Sequence, residues 1–197
     1  FGRLLGELEA GRVDVIGAGL FVTAERERQV SFTQPIATVR GAVLLRREDA
    51  LLAPRTGADA QADSATLAPI DVRALRGPIG VLAGAVEGDM ARASGVSDSL
   101  LIRYPDVSTA VPALLGGEIQ GLLLSEPSLR WLEARSFGRL VARLLDTSDA
   151  RSRGRPALAT RRRDVLLTRR IDSALDQVCR AATCDSVRAH FGFDTVP

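Results

Sequence analysis

The chain contains neither lysine nor asparagine, and it has a single histidine, methionine, tryptophan and tyrosine. Every basic side chain except His190 is therefore an arginine, a compositional bias with no functional content of its own. The formal net charge is only +2. That is too small to argue for nucleic acid or an anionic membrane as the partner. One histidine and two cysteines leave no cluster at metal-ligand spacing, so no metal or other cofactor is expected. No apolar run reaches the ~18 residues needed to span a bilayer. Neither a P-loop nor a Gly-x-Ser-x-Gly elbow is present. No signal peptide is visible at Phe1-Gly2-Arg3-Leu4-Leu5, where the chain enters directly on an amphipathic helix. What remains is ordinary globular composition: 46% hydrophobic and 25% charged over 197 residues, enough for one or two domains with a real core.

Residues 11–35 organise the rest. Val13 to Ile16 is β-branched and bounded by glycines, which predicts a short buried strand. Gly17 to Val22 reads as a glycine-punctuated loop where backbone can approach a ligand. Thr23 is placed to cap a charged helical turn from Ala24 to Gln29. A strand, a loop and a helix start put polar groups at the C-terminal edge of a sheet, where open α/β sheets bind small molecules. Arg26 lies three residues after Thr23, and its planar fork of donors suits a carboxylate held bidentately.

Around this stretch the pattern is regular. Residues 3–10 form a helix with Leu4, Leu5 and Leu8 on one face and Gly11 as its stop. Ile36 to Arg46 reads as a long strand leaving the first unit, and residues 49–70 as a surface loop. A strand–helix alternation follows. Strands are predicted at Ile79–Ala83, Leu100–Tyr104, Ile119–Leu124 and Leu140–Leu145, with helices at Val86–Ala93, Ser108–Leu115 and Pro127–Ala134. Such alternation gives a mostly parallel sheet with helices on its faces. A polar loop at 147–155, a returning strand at Pro156–Arg161, a long helix at Val165–Arg180 and a final one at Ser186–Phe191 complete the chain. Leu8 to Asp14 parallels Leu114 to Gln120, a weak two-copy repeat consistent with two similar lobes.

Leu8 to Asp14, Gly19, Thr23, Arg26, Val30, Phe32-Thr33 and Pro35 together resemble the signature of the family 3 solute-binding proteins, the extracytoplasmic receptors of polar-amino-acid ABC transporters. The resemblance continues through Gly80-Val81-Leu82-Ala83-Gly84, Tyr104-Pro105-Asp106, Ala113 to Gly117 and Arg188 to Gly192. It implies an α/β, two-lobed periplasmic-binding-protein-like (type II) architecture. Lobe 1 is expected from residues 1–44 and 159–197, and lobe 2 from residues 45–158. In the family, lobe 1 opens with strands that precede the helix found here at Leu4. Lobe 1 is thus expected to be incomplete, with the sequence a fragment or the missing strands supplied by a partner chain. The resemblance further implies a periplasmic or other extracytoplasmic location, an ABC permease as partner, and a monomer when full length.

Binding positions follow from the resemblance one at a time. Arg26 takes the role of the arginine that grips the ligand's α-carboxylate, and Gly19 that of the loop backbone beside it. Phe21 stands where the family has a small hydroxyl residue before Thr23. Ala85 and Val86 replace a hydroxyl pair after the Gly84 turn. Ser125 stands where amino-acid binders carry an aspartate for the ligand's ammonium, and Glu126 follows it. A desolvated ammonium without an anionic partner costs several kcal/mol. So either Glu126 supplies the charge, or the ligand has no α-ammonium; Glu126 also fits as an acid at a helix N-terminus. The resemblance implies a small carboxylate-bearing solute, an amino acid or a related molecule, in an interlobe cleft, and the apolar replacements suggest a less polar one. A cyclohexadienyl-dehydratase-like enzyme is the alternative, but its general acid would fall on Ser128, which cannot act as one. A ligand-sensing domain of a larger envelope receptor is a further alternative. Cys179 and Cys184 are spaced either for a small disulfide loop or as two buried thiols. His190 reads as a surface or packing residue.

Overall fold

The structure, a computed structural model, describes residues 3–52, 69–146, 153–180, 183–191 and 193. In chain order the elements are α1 (Leu4–Glu9), β1 (Val15–Phe21), α2 (Ala24–Glu27), β2 (Val30–Phe32), β3 (Val39–Arg46), α3 (Arg47–Leu52), β4 (Ile79–Leu82), α4 (Glu87–Ala93) and β5 (Leu101–Tyr104). They continue with α5 (Val107–Leu115), β6 (Gly121–Ser125), α6 (Glu126–Arg135), β7 (Leu140–Leu144), β8 (Arg153–Gly154), β9 (Pro156–Arg161), α7 (Val165–Arg180) and α8 (Thr183–Phe191). They fall into two compact units, Phe1–Val39 with Gly154–Pro197, and Arg40–Arg153.

The first unit is built on a sheet of order β1-β9-β2, with both outer strands antiparallel to β9. Its core is Leu8 of α1, Ile16 and Leu20 of β1, Val30 of β2 and Ala159 of β9, with Leu4, Leu5 and Phe32 packed against it. The apolar face predicted for the first helix is therefore the face that is buried. The strand and loop read at Val13–Val22 are redrawn. Val13 is exposed, and the strand begins at Val15 and runs on to Phe21. Val15 and Ile16 pair with Thr160 and Ala159, and Leu20 and Phe21 pair with Ala157 and Pro156. The register shift between the two blocks absorbs Gly17–Gly19 as a bulge, so the glycines bend a strand instead of ending it. On its other side β1 has no strand partner among the described residues.

Helix α7 packs on β9, and the Thr160 and Thr168 hydroxyls share a buried hydrogen bond of 2.7 Å between them. A disulfide joins Cys179 of α7 to Cys184 of α8. Arg188 of α8 donates from Nε to the Ile36 carbonyl at 2.8 Å, which ties the last helix to its own unit.

In the second unit the sheet order is β5-β4-β6-β3-β7. Strand β4 is parallel to β5 and β6, whereas β3 is antiparallel to both β6 and β7. Of these five strands four thus run one way and β3 the other. Alternate residues enter opposite cores: Val43, Leu45, Val81 and Leu123 on one face, Leu44, Leu82, Leu122 and Leu124 on the other. Burial on both faces explains the unbroken apolar runs in β3 and β6. Each such leucine contributes roughly 1.5–3 kcal/mol by leaving water. The helices are fixed locally. Asp106 caps α5, accepting from Thr109 N–H at 2.9 Å, and Pro127 sits in the first turn of α6. Residues 47–52 are helical where a loop was expected from 49, and the rest of that expected loop up to 68 lies outside the described residues. Most of the polar loop expected at 147–155 lies outside them as well.

Candidate functional site

In the first unit the expected residues gather at the C-terminal end of β1. Gly19 has φ of +67°, a left-handed conformation that side chains disfavour, within the bulge. The Phe21 ring lies hard against Gly154, where no Cβ would fit. Thr23 is extended and caps α2, its Oγ1 accepting from Arg26 N–H at 3.3 Å. The half-buried Arg26 side chain turns back and donates from Nη1 to the Phe21 carbonyl at 2.9 Å. A cap on its backbone and a bond on its head therefore hold this guanidinium beside the strand end. A guanidinium has five N–H donors in a fixed plane, a geometry that suits bidentate recognition of a carboxylate.

In the second unit the register Ile79↔Gly121 and Gly80↔Leu122 sets the C-terminal ends of β4 and β6 side by side. Gly84 turns the chain out of β4 at φ of +75°, and the Ala85 N–H donates to the Leu82 carbonyl at 3.1 Å. Ala85 packs against the core beneath it, and Val86 is buried at the start of α4. Neither side chain carries a polar atom, so whatever these two positions offer a ligand is backbone or apolar surface. Ser125 pairs with Gly41 in the sheet, and its hydroxyl shares a 2.9 Å hydrogen bond with that of Ser128.

Glu126 has a partner that the sequence did not reveal. Arg40 donates from Nε to its Oε2 at 3.0 Å, and Arg40 Nη2 lies 2.9 Å from the same oxygen. Arg130 Nε stands 3.7 Å from the other oxygen, Oε1. The Glu126 side chain is only 14% exposed, so this carboxylate is a shielded ion-pair member with two cations. Arg130 was findable, because positions i and i+4 meet on a helix. Arg40 was not, because only the antiparallel β3–β6 pairing brings it near. Among the described residues no group of three or more His, Cys, Asp or Glu could hold a metal ion.

Two mixed α/β units, each built on its own sheet, are the architecture of the type II periplasmic binding proteins. Solved structures agree. An amino-acid ABC transporter substrate-binding protein from Streptococcus pneumoniae bound to L-arginine matches with a TM-score of 0.78 at 17% identity, over 97% of this chain and 73% of that one. A mutant arginine-binding protein from T. maritima matches at TM-score 0.72 and 20% identity, over 97% and 74%. An ancestral arginine-binding protein bound to arginine matches at 0.72 and 19%, over 97% and 76%. The model of the bacterial extracellular solute-binding proteins, family 3, matches residues 1–193, and the chain belongs to that family. No curated protein sequence matches it. Among the described residues no helix is long and apolar enough to cross a membrane.

Proposed function

We propose that this chain is the solute receptor of an extracytoplasmic ABC transport system, and that its solute is a small carboxylate without an α-ammonium group. Arg26 grips the carboxylate, with Gly19 and Phe21 beside it. In the second unit, Ala85, Val86 and Ser125 are the positions that the family resemblance assigns to the ligand, and an ABC permease receives the solute. The observation that carries this reading is the fixed placement of Arg26 by Thr23 and the Phe21 carbonyl. The engagement of Glu126 by Arg40 supports the finer part, since a carboxylate already paired with two guanidiniums is a poor partner for a ligand's ammonium.

The test is calorimetric titration of a carboxylate and amino-acid panel against the native chain, Arg26→Ala and Arg26→Lys. Binding is expected to be lost with alanine. It is expected to fall at least tenfold with lysine, which keeps the charge and loses the fork. Unchanged affinity in Arg26→Ala would remove Arg26 from the site.

A further inference from the structure

The first unit holds a cavity of about 400 Å³ that Arg26 and Phe21 do not line. Leu5 and Leu8 of α1 and Val30 of β2 form an apolar part of its wall. Arg28, Arg162 and Arg163 form the basic part. The fourth arginine there, Arg161, is already committed. Its Nη1 donates to the Val13 carbonyl at 2.9 Å, Nη2 to Asp14 at 2.6 Å, and Nε lies 2.7 Å from Asp164. The other three are not neutralised. Arg162 donates from Nη1 to the Arg28 carbonyl at 2.7 Å, which fastens the end of β9 to the turn before β2 and uses no anion. The side chains of Arg28 and Arg163 make no hydrogen bond or ion pair among the described residues. Glu9, on the same rim, is the single carboxylate facing them.

We propose that this cavity binds a small organic anion with an apolar body, a phosphate monoester or a carboxylate carrying an aryl or short alkyl group. Guanidinium forks match both oxyanions bidentately, and three of them against one carboxylate leave a surplus of positive charge that an anion would relieve. Wall chemistry sets the rest of the ligand. Leucine and valine surface is wasted on a bare inorganic ion, and a volume of about 400 Å³ lies in the range of small-molecule sites. This site is independent of the solute reading above, since it shares no residue with it.

The experiment titrates the chain at low salt with phenyl phosphate, benzoate, inorganic phosphate and benzyl alcohol. Phenyl phosphate or benzoate is expected to bind one equivalent at least tenfold more tightly than inorganic phosphate, with no binding of benzyl alcohol. Whichever of the two binds better tells phosphate from carboxylate preference. The double variant Arg28→Ser, Arg163→Ser is expected to weaken that binding at least tenfold, and Arg26→Ala to leave it unchanged. Both substituted arginines are exposed and unpaired, so the fold is retained, as circular dichroism checks. Equal binding of inorganic phosphate, or binding that survives the double substitution, overturns the proposal. So does binding that disappears with Arg26→Ala, because the anion is then in the solute site.

Discussion

Glu126 and Arg40 stand 86 positions apart in sequence and are joined by two nitrogen contacts to one oxygen, Oε2. The pair decides how Ser125, in the aspartate position of amino-acid binders, is to be read. With Glu126 already paired to Arg40 and Arg130, it is a poor substitute for that aspartate on the proposed reading.

Arg40→Ala should therefore do two things. It leaves Glu126 with only the more distant Arg130, and the loss of a partly buried pair should cost about 1–3 kcal/mol, less than for a fully buried one because Arg40 keeps solvent contact. On the proposed function it should also raise the affinity for an α-amino acid. Urea unfolding and calorimetry read the two effects. A variant as stable as the native chain, with no gain in affinity, would show that the pair is inert.

The Cys179–Cys184 disulfide closes a short loop between α7 and α8. By chain entropy a loop of that length is worth about 2 kcal/mol. Replacing both cysteines by serine should lower unfolding stability by about that amount. The loss should be matched in the native chain by adding a reductant, and absent when reductant is added to the variant.

Asp106 at the start of α5 has its carboxyl held below the usual range. The Ser108 hydroxyl is the main cause and the Thr109 backbone N–H the next. A depressed folded-state value means that the contribution to stability is present above the unfolded carboxylate range, near pH 4, and is lost as pH falls through the folded value. Asp106→Asn can still accept at the cap but cannot titrate. The difference in stability between native and variant should be constant at neutral pH and shrink below pH 4. A difference independent of pH down to 2 would contradict this.

Hydrogen exchange should separate the two sheets. Strand β4 lies between β5 and β6, whereas β1 is a sheet edge paired only with β9 among the described residues. Strong protection is expected at Ile79–Leu82 and weaker protection at Val15 and Ile16. Equal protection at both would show that the edge is covered in solution.

Periodicity and punctuation made most elements legible: the apolar face of α1, the strand–helix alternation from β4 to β7, the Thr23 cap. Long-range pairing was not. Gly17–Gly19 carry a local loop signal, and only β9, some 140 residues later, makes a bulged strand of them. The reversed direction of β3 is hidden likewise, since an apolar run reads the same in either direction. In the site, Thr23 and Arg26 were placed by spacing along one short helix. The state of Glu126 depended on Arg40, which no local pattern connects to it.

On the proposed function, Arg26 receives the carboxylate of a solute that carries no α-ammonium group. This is tested most directly by calorimetric titration with arginine, glutamine and histidine, each beside the acid in which hydrogen replaces the α-ammonium. At least one deaminated acid is expected to bind, its amino-acid counterpart to bind at least tenfold more weakly, and Arg26→Ala to abolish the binding. Micromolar binding of arginine, glutamine or histidine, with their deaminated counterparts weaker, would contradict it.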